Sequence, residues 1–227
     1  MRPIFLPLPD ATAAHYRSGG PDAYGLRPER RVADGGAIPC RHSLRLLPAG
    51  TPYLIVAHRP FAGLNPYAET GPIFLAAEDT PGAAPTTELP PFLTAAAYIV
   101  RGYSLDERIV YGTGAVTPTD RIVAACANLL ACDAIAFVHV RSATNNCFHV
   151  RVQRDHPAEG FALGREASSL QPSGDPVGGA APHTPRDICG TKRGARGARG
   201  QGLTRVSRAS TWGPRASTIS AIPAAFG

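Results

Sequence analysis

Ile135-Ala136-Phe137-Val138-His139-Val140-Arg141 and Cys147-Phe148-His149-Val150-Arg151-Val152-Gln153 are two runs of period-two character, joined by Ser142-Ala143-Thr144-Asn145-Asn146. Successive side chains of a strand point to opposite faces. The first run therefore divides into Ala136, Val138 and Val140 against Phe137, His139 and Arg141. The second divides into Phe148, Val150 and Val152 against Cys147, His149 and Arg151. The polar linker predicts a hairpin, and antiparallel pairing would set two polar rows side by side. The expected result is one face bearing His139, Arg141, Cys147, His149 and Arg151.

Upstream, the segment from Thr117 to about Ala131–Asp133 reads as the one clear helix. Thr117 stands at its start, Pro118 at the first helical position and Asp120 near its positive end. Its apolar stripe is Ile122, Cys126, Leu129 and Leu130, a helical period suited to covering one side of a sheet. Tyr53–His58 and Ile73–Ala77 are short β-rich runs bounded by proline or glycine and read as buried strands. Arg27–Pro39 offers a polar strand and a Gly-Gly turn, and Tyr98–Tyr103 with Arg108–Tyr111 reads as a second strand pair. Many strands with one late helix indicate an α+β domain with a mostly antiparallel sheet and one packed helix.

That pattern stops near His156. From there to Gly227 there are 12 Gly and 7 Pro in 72 residues, a low-complexity composition that predicts a disordered or non-native tail after one domain spanning 1–155. The basic charge follows the same division: 14 Arg against 13 acids up to Asp155, a net of +1, and 9 Lys plus Arg against 4 acids beyond it, a net of +5. A nucleic-acid partner is thus expected only as non-specific contact through the tail, whose Gly194–Gly202 stretch GARGARGQG is its most Arg-Gly-rich part. Three prolines in Met1–Asp10 leave no uninterrupted apolar leader, and no run approaches the length of a membrane span. A cytoplasmic protein with no membrane partner is the expectation. Five cysteines, an odd number without metal-knuckle spacing, do not suggest a secreted disulfide framework, and no pattern calls for a cofactor.

Three chemistries can be drawn from the polar residues. If Arg101 and Tyr103, which share a face of their own strand, join the His139 row, then Arg101, Tyr103, His139, Arg141 and Cys147 form a cationic patch suited to a small anionic molecule, because guanidinium forks bind carboxylate and phosphate. The alternative for the same residues is a solvent face kept soluble by arginine, since antiparallel sheets commonly leave one face wet. Cys40, Cys147 and His139 are the candidate catalytic residues of a thiol enzyme, in which His42 or His149 could also serve as base. Cys40, His42, Cys147 and His149 supply the donors of a tetrahedral zinc site, but at Cys-x-His spacing rather than that of a zinc knuckle, so no metal is expected. A structural or interaction module is the third class.

Ile38-Pro39-Cys40-Arg41-His42-Ser43-Leu44, Pro66-Tyr67-Ala68-Glu69-Thr70-Gly71-Pro72-Ile73-Phe74, Arg101-Gly102-Tyr103, Val138-His139-Val140-Arg141-Ser142-Ala143 and Asn146-Cys147-Phe148 follow one another in this chain. Over about Leu26 to Arg154 they resemble the bacterial family called domain of unknown function 1203. The resemblance implies no activity. It highlights Pro39, Cys40, Arg41, Tyr67, Gly71, Pro72, Phe74, Arg101, Tyr103, Arg141 and Cys147, and departs from the family's frequent Arg-Ala-Tyr-Asp at Arg101-Gly102-Tyr103-Ser104.

Overall fold

The computed structural model describes residues 2–155. The expected tail, with its Arg-Gly stretch, lies outside the described residues. Within them the chain is α+β, as the strand-rich pattern predicts, but it builds two five-stranded sheets rather than one.

The first sheet contains β1 (Pro3–Leu6), β7 (Ala97–Tyr103), β8 (Ala115–Pro118), β9 (Phe137–Ser142) and β10 (Phe148–Arg154) in the order β1-β10-β9-β7-β8, with every pairing antiparallel. The second contains β2 (Glu29–Val32), β3 (Pro39–Cys40), β4 (Arg45–Leu46), β5 (Pro52–His58) and β6 (Gly71–Ala76) in the order β2-β5-β6-β3-β4, with β3 and β6 parallel. Two helices accompany them, α1 (Asp10–Arg17) and α2 (Ile122–Leu130).

Val138, Val140, Val150 and Val152 bury one face of the first sheet beneath Ile122, Cys126 and Leu130 of α2, the stripe that the helical period marks. The second sheet forms its own apolar cluster through Leu54, Val56, Ile73 and Leu75, onto which α1 lays Ala13 and Tyr16. Phe148 of β10 belongs to this second cluster and ties the two sheets together.

Four local readings change. β1 and α1 lie in the proline-rich N-terminal stretch, where strand and helix are each too short to leave a clear period. Thr117 and Pro118 do not open the helix: they pair with Tyr98 and Ala97 in β8, and a 3-10 turn at Thr119–Arg121 precedes α2, so sheet pairing overrides the local capping signal. Arg108–Tyr111 makes only a single bridge, Tyr103 to Ile109. Glu107 adopts φ 61° and Ser104 binds Arg108 through both backbone groups, which gives a tight turn, and the strand that pairs with β7 is β8 instead. Finally, the residues between 148 and 150 are out of step with β9, which redistributes the side chains of the hairpin. No helix among the described residues is long and apolar enough to cross a membrane.

Candidate functional site

Three neighbouring strands place Arg101, His139 and Arg151 in one cross-strand row, because Arg101 pairs with His139 and His139 with Arg151. Tyr103 and Phe137 pair one step along and their rings stack at 5.1 Å. Arg141 stands on the same face, two residues beyond His139. The face is not wet. Tyr103, His139 and Arg141 are all buried beneath the connection between β5 and β6, which contributes Phe61 and Glu69.

Glu69 organises this face. Its Oε1 accepts a hydrogen bond from Arg101 Nη1 at 2.7 Å, and its Oε2 accepts one from the Tyr103 hydroxyl at 2.9 Å. Arg141 Nη1 lies 3.0 Å from Oε2 as an ion pair, without an N–H directed at the oxygen, while its Nε is bonded to the backbone oxygen and side-chain Oδ1 of Asn146. Burial, reinforced by the Glu69 carboxylate, pushes the Tyr103 phenol up to about 12, so the hydroxyl is a fixed donor at neutral pH.

His139 is 0% exposed and is enclosed by the rings of Phe61, Tyr103, Phe137 and Phe148, with centroids 4.7 to 5.2 Å away. Burial holds its imidazole well below the usual histidine range, and Arg151, Arg141, His58 and Arg101 add to this. The ring is therefore neutral, and neither nitrogen has a hydrogen-bond partner among the described residues. Arg151 Nε and Arg59 Nε are buried without partners as well, with Arg151 stacked 3.6 Å over Phe137. The connection carrying Phe61 is pinned by Glu107, whose carboxylate accepts hydrogen bonds from the Ala62 and Gly63 amides.

The register shift decides which predicted residues meet. Val150 pairs with Val140, but Phe148 pairs with Arg141, so Phe148 turns to the His139 side and its ring lies 4.9 Å from the imidazole. His149 leaves the expected row for the opposite face, stacked on Phe92 at 5.8 Å and edge-on to Tyr98 at 5.1 Å. Arg101, Tyr103, His139, Arg141 and Arg151 thus come together, and His149 does not. Cys147 also stands apart from the Glu69 cluster, its thiol directed to the Asn145 carbonyl at the turn.

The other candidates are separated. Cys40 is fully buried, with its sulfur accepting backbone N–H groups from Ser43 and Ala76. Among the described residues no histidine is hydrogen-bonded to the thiol of Cys40 or of Cys147. His42 instead sits between Asp10, 2.7 Å from Nε2, and Arg17, 3.2 Å from Nδ1, in a clasp that fastens α1 to the turn after β3. Among the described residues no group of three or more His, Cys, Asp or Glu side chains is placed to hold a metal ion, and Cys40, His42, Cys147 and His149 do not converge.

Glu69 is the central residue of this cluster that strand patterning misses, because it lies in a connection. The available signal is that it is the sole acid between His58 and Gly71, in a segment bracketed by Pro66 and Pro72.

Residues 37–154 match the family described as "Protein of unknown function (DUF1203)", a segment that contains the entire Glu69 cluster. The chain belongs to the DUF1203 family. The match begins at residue 37 rather than near Leu26, so β1, α1 and β2 lie outside the DUF1203 segment although β1 and β2 are members of its two sheets. The family description assigns no activity, and the molecular function is unknown. No curated protein and no solved structure matches the chain.

Proposed function

We propose that the protein binds a small anionic molecule on the face formed by Arg101, Tyr103, His139 and Arg141. The observation that carries this reading is the concentration of incompletely bonded cationic donors around one carboxylate. Among the described residues Arg101, Arg141 and Arg151 share the face, Glu69 is the acid that bonds to it, and Arg141 Nη1 and Arg151 Nε are buried without a directed hydrogen bond. Buried polar atoms are satisfied in more than nine cases in ten, so such a cluster is matched to acceptors that the described residues do not supply. Arg101 and Glu69 are 19% and 23% exposed at the side chain, against 3% for Arg141, so the ligand enters along the Arg101–Glu69 edge. The neutral His139 behind them adds no further charge, and the guanidinium forks and the phenol supply the recognition.

The test is titration calorimetry at low salt with inorganic phosphate and with malonate. Saturable binding of either is expected, lost in the R101Q/R141Q double variant with its circular dichroism unchanged, and strengthened by Glu69→Gln, which removes the competing charge. No binding to the native chain, or equal binding by native and double-variant proteins, overturns the proposal. The thiol reading gains no base from the geometry and is carried no further.

A further inference from the structure

A second site lies on the opposite side of β9 and β10 and is independent of the anion face. An open cleft of about 260 Å³ is lined by Phe92, Thr94, Tyr98, Ser142, Thr144 and His149, among others, and among the described residues no Asp, Glu, Lys or Arg contributes to its wall. Its imidazole belongs to His149, the residue that the register shift in β10 swings away from Arg151. Bulges of this kind re-aim side chains, commonly beside functional sites.

The imidazole of His149 is fixed in both orientation and tautomer. Stacking on Phe92, with an interplanar angle of 5°, and the edge of Tyr98 hold the ring. Nδ1 lies 3.1 Å from the Cys147 carbonyl oxygen. A carbonyl only accepts, so Nδ1 carries the proton and Nε2 presents a lone pair. Nε2 has no protein partner among the described residues. Burial, with the fields of Arg41 and Arg141, lowers the ring to about 4, which keeps that lone pair available at neutral pH.

We infer that this cleft binds a small uncharged molecule that offers an N–H or O–H donor to His149 Nε2 and an apolar ring or chain to Phe92 and Tyr98. An anion has no cation in the wall to meet it, and a cation no acid. A donor is required because an apolar ligand that covered the Nε2 acceptor without bonding it would leave a buried lone pair unsatisfied.

The experiment follows the His149 ring nitrogens by NMR on 15N-labelled protein titrated with phenol, anisole or benzoate. Phenol is expected to shift Nε2 and saturate in the millimolar range, about what a ligand of its size can reach. Anisole, which lacks the donor, and benzoate, which carries charge, should bind about tenfold more weakly or less. Ala143→Trp, on the exposed turn that forms part of the cleft wall, should abolish the phenol response while leaving the fold intact, and His149→Phe should erase the preference for phenol over anisole. Arg101→Gln should leave the phenol response unchanged, which separates this site from the anion face. An unmoved Nε2 at saturating phenol, or equal binding of all three probes, overturns the inference.

Discussion

His139 and His149 stand on neighbouring strands of one sheet and face opposite ways. On one side, His139 is shut in by four aromatic rings and three arginines, and among the described residues one carboxylate, Glu69, bonds to the cationic rim. On the other, His149 borders a cleft to which no charged side chain of the described residues contributes, and it shares its face with the valines beneath α2. Both rings are neutral, yet only one has a proton position set by a backbone carbonyl. The difference teaches that burial and neighbouring arginines settle the charge of these two histidines, while their hydrogen bonds settle what each can do. A one-residue irregularity between Phe148 and Val150 assigns the two roles.

The sharpest way to break this contrast is to move charge across the sheet. Val140 is fully buried against the α2 side, where Val140→Lys would strand an ammonium with no acid nearby. It should cost more than about 4 kcal/mol and abolish the near-ultraviolet dichroism, whereas Gln153→Lys at the half-buried end of β10 should cost under about 1 kcal/mol. Equal tolerance at both positions would remove the distinction between the faces.

Acid should act on both histidines together with His58, whose pKa burial and the neighbouring Arg41 and Arg59 lower to about 4. For each, the folded value lies below the unfolded value of about 6.5, so the unfolded chain binds more protons between those limits. The stability that comes from keeping the rings neutral is fully present above about pH 6.5 and drains away as pH falls toward 4. The expected slope is about 1.4 kcal/mol per pH unit per histidine, or about 4 for the three, measurable by urea unfolding at pH 7.5, 6 and 5. His149→Gln should remove about a third of that slope; an unchanged slope would mean that His149 is charged in the fold.

A smaller contrast lies within the anion face. Arg141 is almost wholly buried and also fastens the Asn146 turn, so Arg141→Gln should cost about 3 kcal/mol. Arg101 binds the same carboxylate from the solvent edge, and Arg101→Gln should cost about 1 kcal/mol. Thermal or chemical denaturation of both variants checks the order, and a reversal would move the buried centre of the cluster from Arg141 to Arg101.

Where the sequence speaks clearly, it does so through long apolar periods. Ile122, Cys126 and Leu130 mark the buried side of α2, and alternation places β5, β6, β7, β9 and most of β10. Alternation also brings Arg101, Tyr103, His139, Arg141 and Arg151 to one face, because strand period and antiparallel pairing are both local rules. It fails at His149, since an added residue in a ladder leaves no trace in a run that remains apolar and polar by turns. It cannot place Glu69, Phe61 or Glu107, which reach the site from connections whose path depends on the second sheet. Whether the arginine face is wet or covered is likewise a property of that second sheet and not of the strands that bear it.

β1 shows what the matched family segment owes to its flank. Its four residues pair with Leu6 opposite Arg151 and Pro3 opposite Arg154, forming the outer rung of the first sheet beside β10. A chain cut back to residues 37–154 would leave the β10 backbone as a bare edge, with a row of N–H and C=O groups able to recruit a strand from another molecule. The N-terminal strand thus serves as a built-in chaperone for that edge, and its removal should convert a well-behaved solution into one that self-associates along the sheet.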